Sequence, residues 1–191
     1  MILVHKLSNQ FKNCTLLSID TRVKITQKIT IENYLFLFDD QGNVGSINVF
    51  DDEDILSASE KRFFSLNEHL SNKVKAKATQ ANLKINDSKK FVYVEILKRE
   101  VHPKSEKLFV LTLSDGQKEF QVVTNTLDST EGKVVLVALP GSITALGAEI
   151  LEGKMLDVTS SGMLVGYSSL GFAQEGLVFG SLENIGKEFQ I

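Results

Sequence analysis

The sequence predicts a β-rich protein of two domains, a small α+β domain followed by an all-β one. Three observations carry this expectation. From Phe91 onward, short apolar runs alternate with Gly and Pro turn signals, the pattern of a small sandwich or barrel. Before that point, strand-like runs surround a single stretch in which Leu66, Leu70 and Val74 recur at helical spacing. Between the two lies Asn86-Asp87-Ser88-Lys89-Lys90, which has no apolar residue. The boundary is placed there, giving domains at 1–88 and 89–191.

In the first domain, Met1–His5 and Thr15–Ile19 read as strands. Arg22-Val23-Lys24-Ile25-Thr26 alternates polar and apolar residues, as a strand with one wet face does. Tyr34–Phe38 and Val44–Phe50 flank Asp39-Asp40-Gln41-Gly42-Asn43 and read as a hairpin. Ser65 with Glu68 three residues on predicts a capping box that opens the helix. Lys73, Lys75 and Lys77 follow towards its end, where cations suit the helix dipole.

In the second domain, strands are expected at Phe91–Leu97, Leu108–Leu113, Glu119–Val123 and Val134–Leu139. His102-Pro103, Ser114-Asp115-Gly116 and Pro140-Gly141 supply the breaks between or after them.

Several function classes lose support. The longest apolar runs fall far short of the ~20 residues that span a bilayer, so no membrane association is expected. The amino terminus lacks the pattern of a secretory signal, and the single cysteine, Cys14, excludes an internal disulfide. Both features predict a cytoplasmic protein. His5, His69 and His102 are scattered and do not form a metal-ligand pattern. Gly147–Lys154 has the wrong glycine spacing for a phosphate loop, and Met155 stands where Ser or Thr should bind magnesium. Asp51-Asp52-Glu53-Asp54 lacks the ligand spacing of a calcium loop and reads as a solvated loop. Ser160 and Ser161 have no identifiable base, so no enzyme activity and no cofactor are expected.

Five fragments remain. They are His102-Pro103-Lys104-Ser105-Glu106-Lys107-Leu108, Gln121-Val122-Val123-Thr124, Val137-Ala138-Leu139-Pro140-Gly141, Gly153-Lys154-Met155, and Val158-Thr159-Ser160-Ser161-Gly162-Met163-Leu164. In this order and at these separations they resemble the tRNA-binding OB-fold module of the endothelial monocyte-activating polypeptide II type. That module also occurs in the amino-terminal part of bacterial phenylalanyl-tRNA synthetase β-chains. The layout is most similar to the YtpR-like stand-alone tRNA-binding proteins, and Gly176–Phe179 with Ile185–Phe189 resembles their closing segment.

The resemblance implies a carboxy-terminal OB-fold β-barrel preceded by a small α+β domain of unknown role. It implies a non-catalytic protein that binds tRNA, or other structured RNA, by shape and backbone. It also implies an aminoacyl-tRNA synthetase or a second copy of the chain as partner. The residues it places at the RNA are Lys107, Asn125, Lys154, Ser160, Gly162 and Met163. A serine hydroxyl donates to phosphate or ribose, a methionine thioether packs on a base, and lysines neutralise phosphates. Where many relatives carry Arg-Gly, this chain has Leu156-Asp157, so a cation is lost and an anion gained. Where relatives often carry Cys-Gly-Ala and then Asn, it reads Thr124-Asn125-Thr126-Leu127-Asp128.

Charge divides unevenly. Residues 1–90 carry 13 Lys and Arg against 11 acids, whereas residues 91–191 carry 8 against 13. Phosphate neutralisation dominates nucleic-acid affinity, so an auxiliary basic patch of Lys73, Lys75, Lys77, Lys84, Lys89 and Lys90 is the expected compensation. The alternative expectation is a dimeric, chaperone-like barrel that binds protein and no longer binds RNA.

Overall fold

The computed structural model describes residues 1–7, 11 and 13–191. The chain divides into two compact units, one of residues 1–88, 141–149 and 191, the other of residues 89–140 and 150–190. A single boundary at 88 therefore leaves out Gly141–Glu149 and Ile191, which group with the first unit.

The first unit contains strands β1 (Leu3–Lys6), β2 (Cys14–Ser18), β3 (Gln27–Ile31), β4 (Tyr34–Phe38) and β5 (Val44–Phe50). Helix α1 (Glu53–Leu56), β6 (Phe63–Ser65) and helix α2 (Glu68–Gln80) follow. The strands form an antiparallel six-stranded sheet in the order β3-β4-β5-β2-β1-β6. Alternation along β4 and β5 sends Tyr34, Phe36, Ile47 and Val49 to one face, where Leu70, Val74 and Ala78 of α2 complete the core.

Three local expectations are corrected. Arg22–Thr26 is a turn and its approach to β3, not a strand. Buried Asp20 accepts from the Arg22 backbone N–H (3.0 Å), Nε (2.9 Å) and Nη2 (2.6 Å), which folds the chain back at its start. Ser65 does not cap α2; it ends β6 and bonds to Ile191, while Asn67 accepts from the Leu70 N–H at 2.9 Å. The acidic run is no solvated loop. Buried Asp52 caps α1 through the Ile55 N–H (3.2 Å) and accepts from the Tyr34 hydroxyl (2.5 Å) and Lys73 Nζ (3.1 Å).

The Gly141–Glu149 segment is held within the first unit by polar contacts. The Thr21 N–H and hydroxyl donate to the carbonyls of Gly141 and Ser142, each at 3.2 Å. His5 Nε2 donates to the Thr144 carbonyl at 3.0 Å. Gly141 has φ 94°, and a Cβ there would lie 2.6 Å from Asp20 Oδ1, so only glycine fits.

The second unit contains β7 (Phe91–His102), β8 (Ser105–Ser114), β9 (Glu119–Thr124), β10 (Val134–Ala138), β11 (Gly153–Met155), β12 (Val158–Ser160), β13 (Met163–Leu164) and β14 (Phe179–Gly180). The main sheet runs β13-β10-β7-β8-β9, with β14 also on β10, and β11 pairs with β12 as a separate hairpin. Val92, Val94, Ile96, Leu111, Leu113, Val122, Val135 and Val137 fill its core. Beyond the end of β8, whose Ser114 pairs with Glu95, the edge of β7 is taken by the closing segment. Tyr93 N–H donates to the Lys187 carbonyl (3.1 Å) and Phe189 N–H to the Phe91 carbonyl (2.9 Å). This satisfies backbone groups that a half-paired central strand would otherwise leave open. Among the described residues, no helix is long and apolar enough to cross a membrane.

Candidate nucleic-acid interface

The Ser160–Met163 stretch joins the two ends of the second unit's sheet. On one side Met163 pairs with Ala138 of β10. On the other, Ser161 N–H donates to the Gln121 carbonyl of β9 (2.8 Å), and Gln121 Nε2 donates to the Thr159 carbonyl (2.7 Å). The Ser160 hydroxyl accepts from the Val123 N–H (3.0 Å) and donates to the Gly162 carbonyl (3.2 Å). A hydroxyl has one proton and two lone pairs. The Ser160 proton is thus already committed, and the expected donation to a phosphate gives way to one remaining acceptor position.

Gly162 has a packing reason for its identity. Its φ is 146°, and an added Cβ would lie 2.8 Å from the Ala138 carbonyl oxygen and 3.1 Å from Val137 Cγ1. It lets this stretch lie against β10 without displacing that strand. Met163 is half-buried beside it.

The remaining expected residues are exposed. Asn125 follows Thr124 at the end of β9, Lys107 lies on β8, and Lys154 lies on β11 opposite Thr159. Neither lysine forms an ion pair among the described residues. The register brings Ser160, Asn125 and Lys107 towards one end of the sheet, because Val123 pairs with Val110 and Thr124 with Phe109.

The β11–β12 hairpin flanks this end. Its turn residues, Leu156 (φ 47°) and Asp157 (φ 71°), both hold left-handed backbone. His102, which ends β7, is buried and fixes the hairpin. Its Nδ1 accepts from the Lys104 N–H (3.1 Å), so Nε2 carries the proton donated to the Met155 carbonyl (3.0 Å). Lys104 Nζ then pairs with Asp157. The anion gained at 157 thus draws in a neighbouring lysine. His102 shapes the turn ahead of Pro103, as its position suggests, and it also clamps a strand fifty-three residues away.

The auxiliary lysines are mostly neutralised, against expectation. Lys73 pairs with Asp52 and Asp54, Lys75 with Asp87, and Lys77 with Glu32. The Asp87 carboxyl, held by Lys75 and the Met1 amine, is brought down to about 2. Lys77 also lies over the Tyr34 ring, 5.0 Å from its centroid. Lys90 is fully buried, and Lys89 donates to the Gly186 carbonyl at 2.8 Å. Of the six, Lys84 alone is exposed and forms no side-chain hydrogen bond or ion pair among the described residues. Carboxylates distant in sequence meet these lysines in the fold, which a linear count of charge does not register.

One residue here escaped the sequence reading. Arg99 of β7 lies over the Phe109 ring of β8, its guanidinium carbon 3.5 Å from the ring centroid. No motif marks it, because its orientation follows from a register shift in β7 between Ile96 and Lys98.

Residues 91–183 match the sequence pattern of the family described as "Putative tRNA binding domain". The phenylalanine–tRNA ligase beta subunit of Latilactobacillus sakei is 41% identical over 86 residues, covering 44% of this chain and 11% of that protein. The corresponding subunit of Clostridium acetobutylicum is 38% identical over 102 residues, covering 50% of this chain and 13% of that protein. This chain therefore spans only a small part of the length of these relatives. Among solved structures, a MetRS-related protein from Pyrococcus horikoshii is similar at 20% identity and a TM-score of 0.40, over 53% of this chain and 89% of that one. Residues 91–183 are thus similar to the family described as "Putative tRNA binding domain" and to part of phenylalanine–tRNA ligase beta subunits.

Proposed function

We propose that this chain is a non-catalytic tRNA-binding protein of the cytoplasm whose second unit, an OB-fold barrel, grips the shape and backbone of folded RNA. The family match over residues 91–183 is the observation that carries the reading. Its support in the fold is the hydrogen bonding of Ser160, Ser161 and Gln121 between the sheet's two ends. Around it stand Lys107, Asn125, Lys154 and Met163, the groups that meet phosphate, ribose and base. Gly162 acts indirectly, by seating Met163. The first unit, an α+β domain, and the barrel act as linked modules that raise the local concentration of tRNA near an aminoacyl-tRNA synthetase.

The test is a filter-binding titration of the full chain with total tRNA across a salt series. Binding that weakens steeply as salt rises supports the reading; no binding at low salt overturns it. A second reading, a dimeric protein-binding barrel, draws on exposed Leu151, Met155 and Leu156 around the β11–β12 hairpin. Sedimentation showing a dimer that fails to bind tRNA would favour it.

A further inference from the structure

We propose that Arg99, laid on Phe109, is an anion-binding residue that takes a backbone phosphate of the RNA; this rests on the tRNA-binding reading above.

The starting point is an anomaly of placement. Along β7, Val92, Val94 and Ile96 face the core. Strict alternation would next turn Lys98 inward. The register shift after Ile96 makes Arg99 the partner of buried Leu111, and Val101 the partner of Phe109. Arg99 therefore occupies a core-facing row, while Lys98 and Glu100 pair with each other at 2.9 Å on the opposite face. On the same face Phe109 stands diagonal to Arg99, two residues before Leu111, and pairs with Thr124 of β9. At this end the apolar core gives out, and the row finishes in a guanidinium on an aromatic ring.

The guanidinium has unmet demand. Its Nε is buried without a hydrogen-bond partner. The terminal nitrogens form no hydrogen bond or ion pair among the described residues. The nearby carboxylate of Glu131 is spent on the Arg99 backbone N–H, at 2.8 Å, and lies in no ion pair with the guanidinium. Lys73, Lys75, Lys77, Lys98, Lys104 and Arg22 all have carboxylate partners. Arg99 differs from them in being pre-oriented by a ring and left without a counter-ion.

That arrangement suits phosphate. A guanidinium is planar, stays charged and presents its donors in a fork that matches phosphate oxygens. Contact with the Phe109 ring restrains the guanidinium before ligand arrives, so less freedom is lost on binding. The neighbours agree. Asn125 follows Thr124, whose partner is Phe109, and Lys107 lies two residues before Phe109. Arg99 is the only arginine of the second unit, and it supplies the fork that Lys107 and Lys154 lack.

The experiment uses the full chain, total tRNA and a salt series between roughly 50 and 200 mM. Arg99→Gln is expected to weaken binding several-fold and to flatten the slope of log affinity against log salt by about one released counter-ion. Arg99→Lys keeps the charge and the slope but loses affinity, since a lysine lacks the fork. Lys98→Gln, on the opposite face, leaves both unchanged. A second measurement needs no variant. Phenylglyoxal labelling of the wild-type chain, read by mass spectrometry on the Arg99 peptide, is expected to fall when tRNA is bound. Wild-type binding with an unaltered Arg99→Gln slope, or unprotected Arg99 in the labelling, overturns this inference and leaves the functional reading standing. If the wild-type chain binds no tRNA at low salt, the functional reading fails and the inference with it.

Discussion

His102 and Met155 are joined across fifty-three residues by a single hydrogen bond, from a buried imidazole Nε2–H to a main-chain carbonyl 3.0 Å away. The same ring accepts the Lys104 N–H, so one side chain holds both the β7–β8 turn and the β11–β12 hairpin.

Replacing that ring by an apolar one should unfasten the hairpin. His102→Phe leaves the Lys104 N–H and the Met155 carbonyl without their partner, at a cost of roughly 1–3 kcal/mol. Urea denaturation reads the cost. Hydrogen exchange should show faster opening at Gly153–Ser160 than in β7–β9. Uniform opening would mean the clamp is not local.

Gly162→Ala should damage the seam between sheet ends more than its single methyl suggests. The new Cβ would meet the Ala138 carbonyl at 2.8 Å in a backbone conformation that alanine rarely adopts. A loss of roughly 1–3 kcal/mol is expected from the backbone alone. The check is thermal unfolding, with tRNA titration below the new midpoint. Lost affinity in a folded variant would show that Met163 had been displaced.

Asp52→Ala should be the most damaging single change in the acidic run. It removes the cap of α1, the acceptor for the Tyr34 hydroxyl and a partner of Lys73. Cap loss and the loss of charge-assisted bonds together cost roughly 2–4 kcal/mol. Asp51→Ala, whose residue is exposed, should change stability far less. Equal effects in chemical denaturation would contradict the assignment.

Acid should weaken the first unit through His5. Burial lowers its imidazole below 6.5, outweighing the bond to Thr144, and Nδ1 is buried without a partner. The folded state thus favours neutral His5, while the unfolded chain takes up a proton as pH falls through 6.5. The contribution is full above that value and is lost progressively below it, down to the folded pKa. Denaturation midpoints across this window should fall with pH in the wild type. They should fall less in His5→Gln.

Patterns with local causes were readable in the sequence. The β4–β5 hairpin is an alternation broken by a polar turn, and α2 follows from an apolar stripe four residues apart. The similarity to the tRNA-binding family was readable from five fragments in their order. What escaped depends on partners brought from elsewhere. Val23 and Ile25 alternate as a strand should, but Asp20 captures Arg22 first. The true edge strand, β3, is too exposed to show an apolar face. The basic stretch looked like a field because Glu32, Asp52 and Asp54 lie outside it. Arg99 was hidden by a bulge, since a shift of one residue reverses which side chains face inward.

The excursion of Gly141–Glu149 into the first unit has a consequence for synthesis. A protein made from its amino terminus would ordinarily finish its first domain before the second is complete. Here Thr21 and His5 await partners that emerge only after β7 to β10 have been translated. The amino-terminal unit is begun first but cannot be finished until most of the other has left the ribosome.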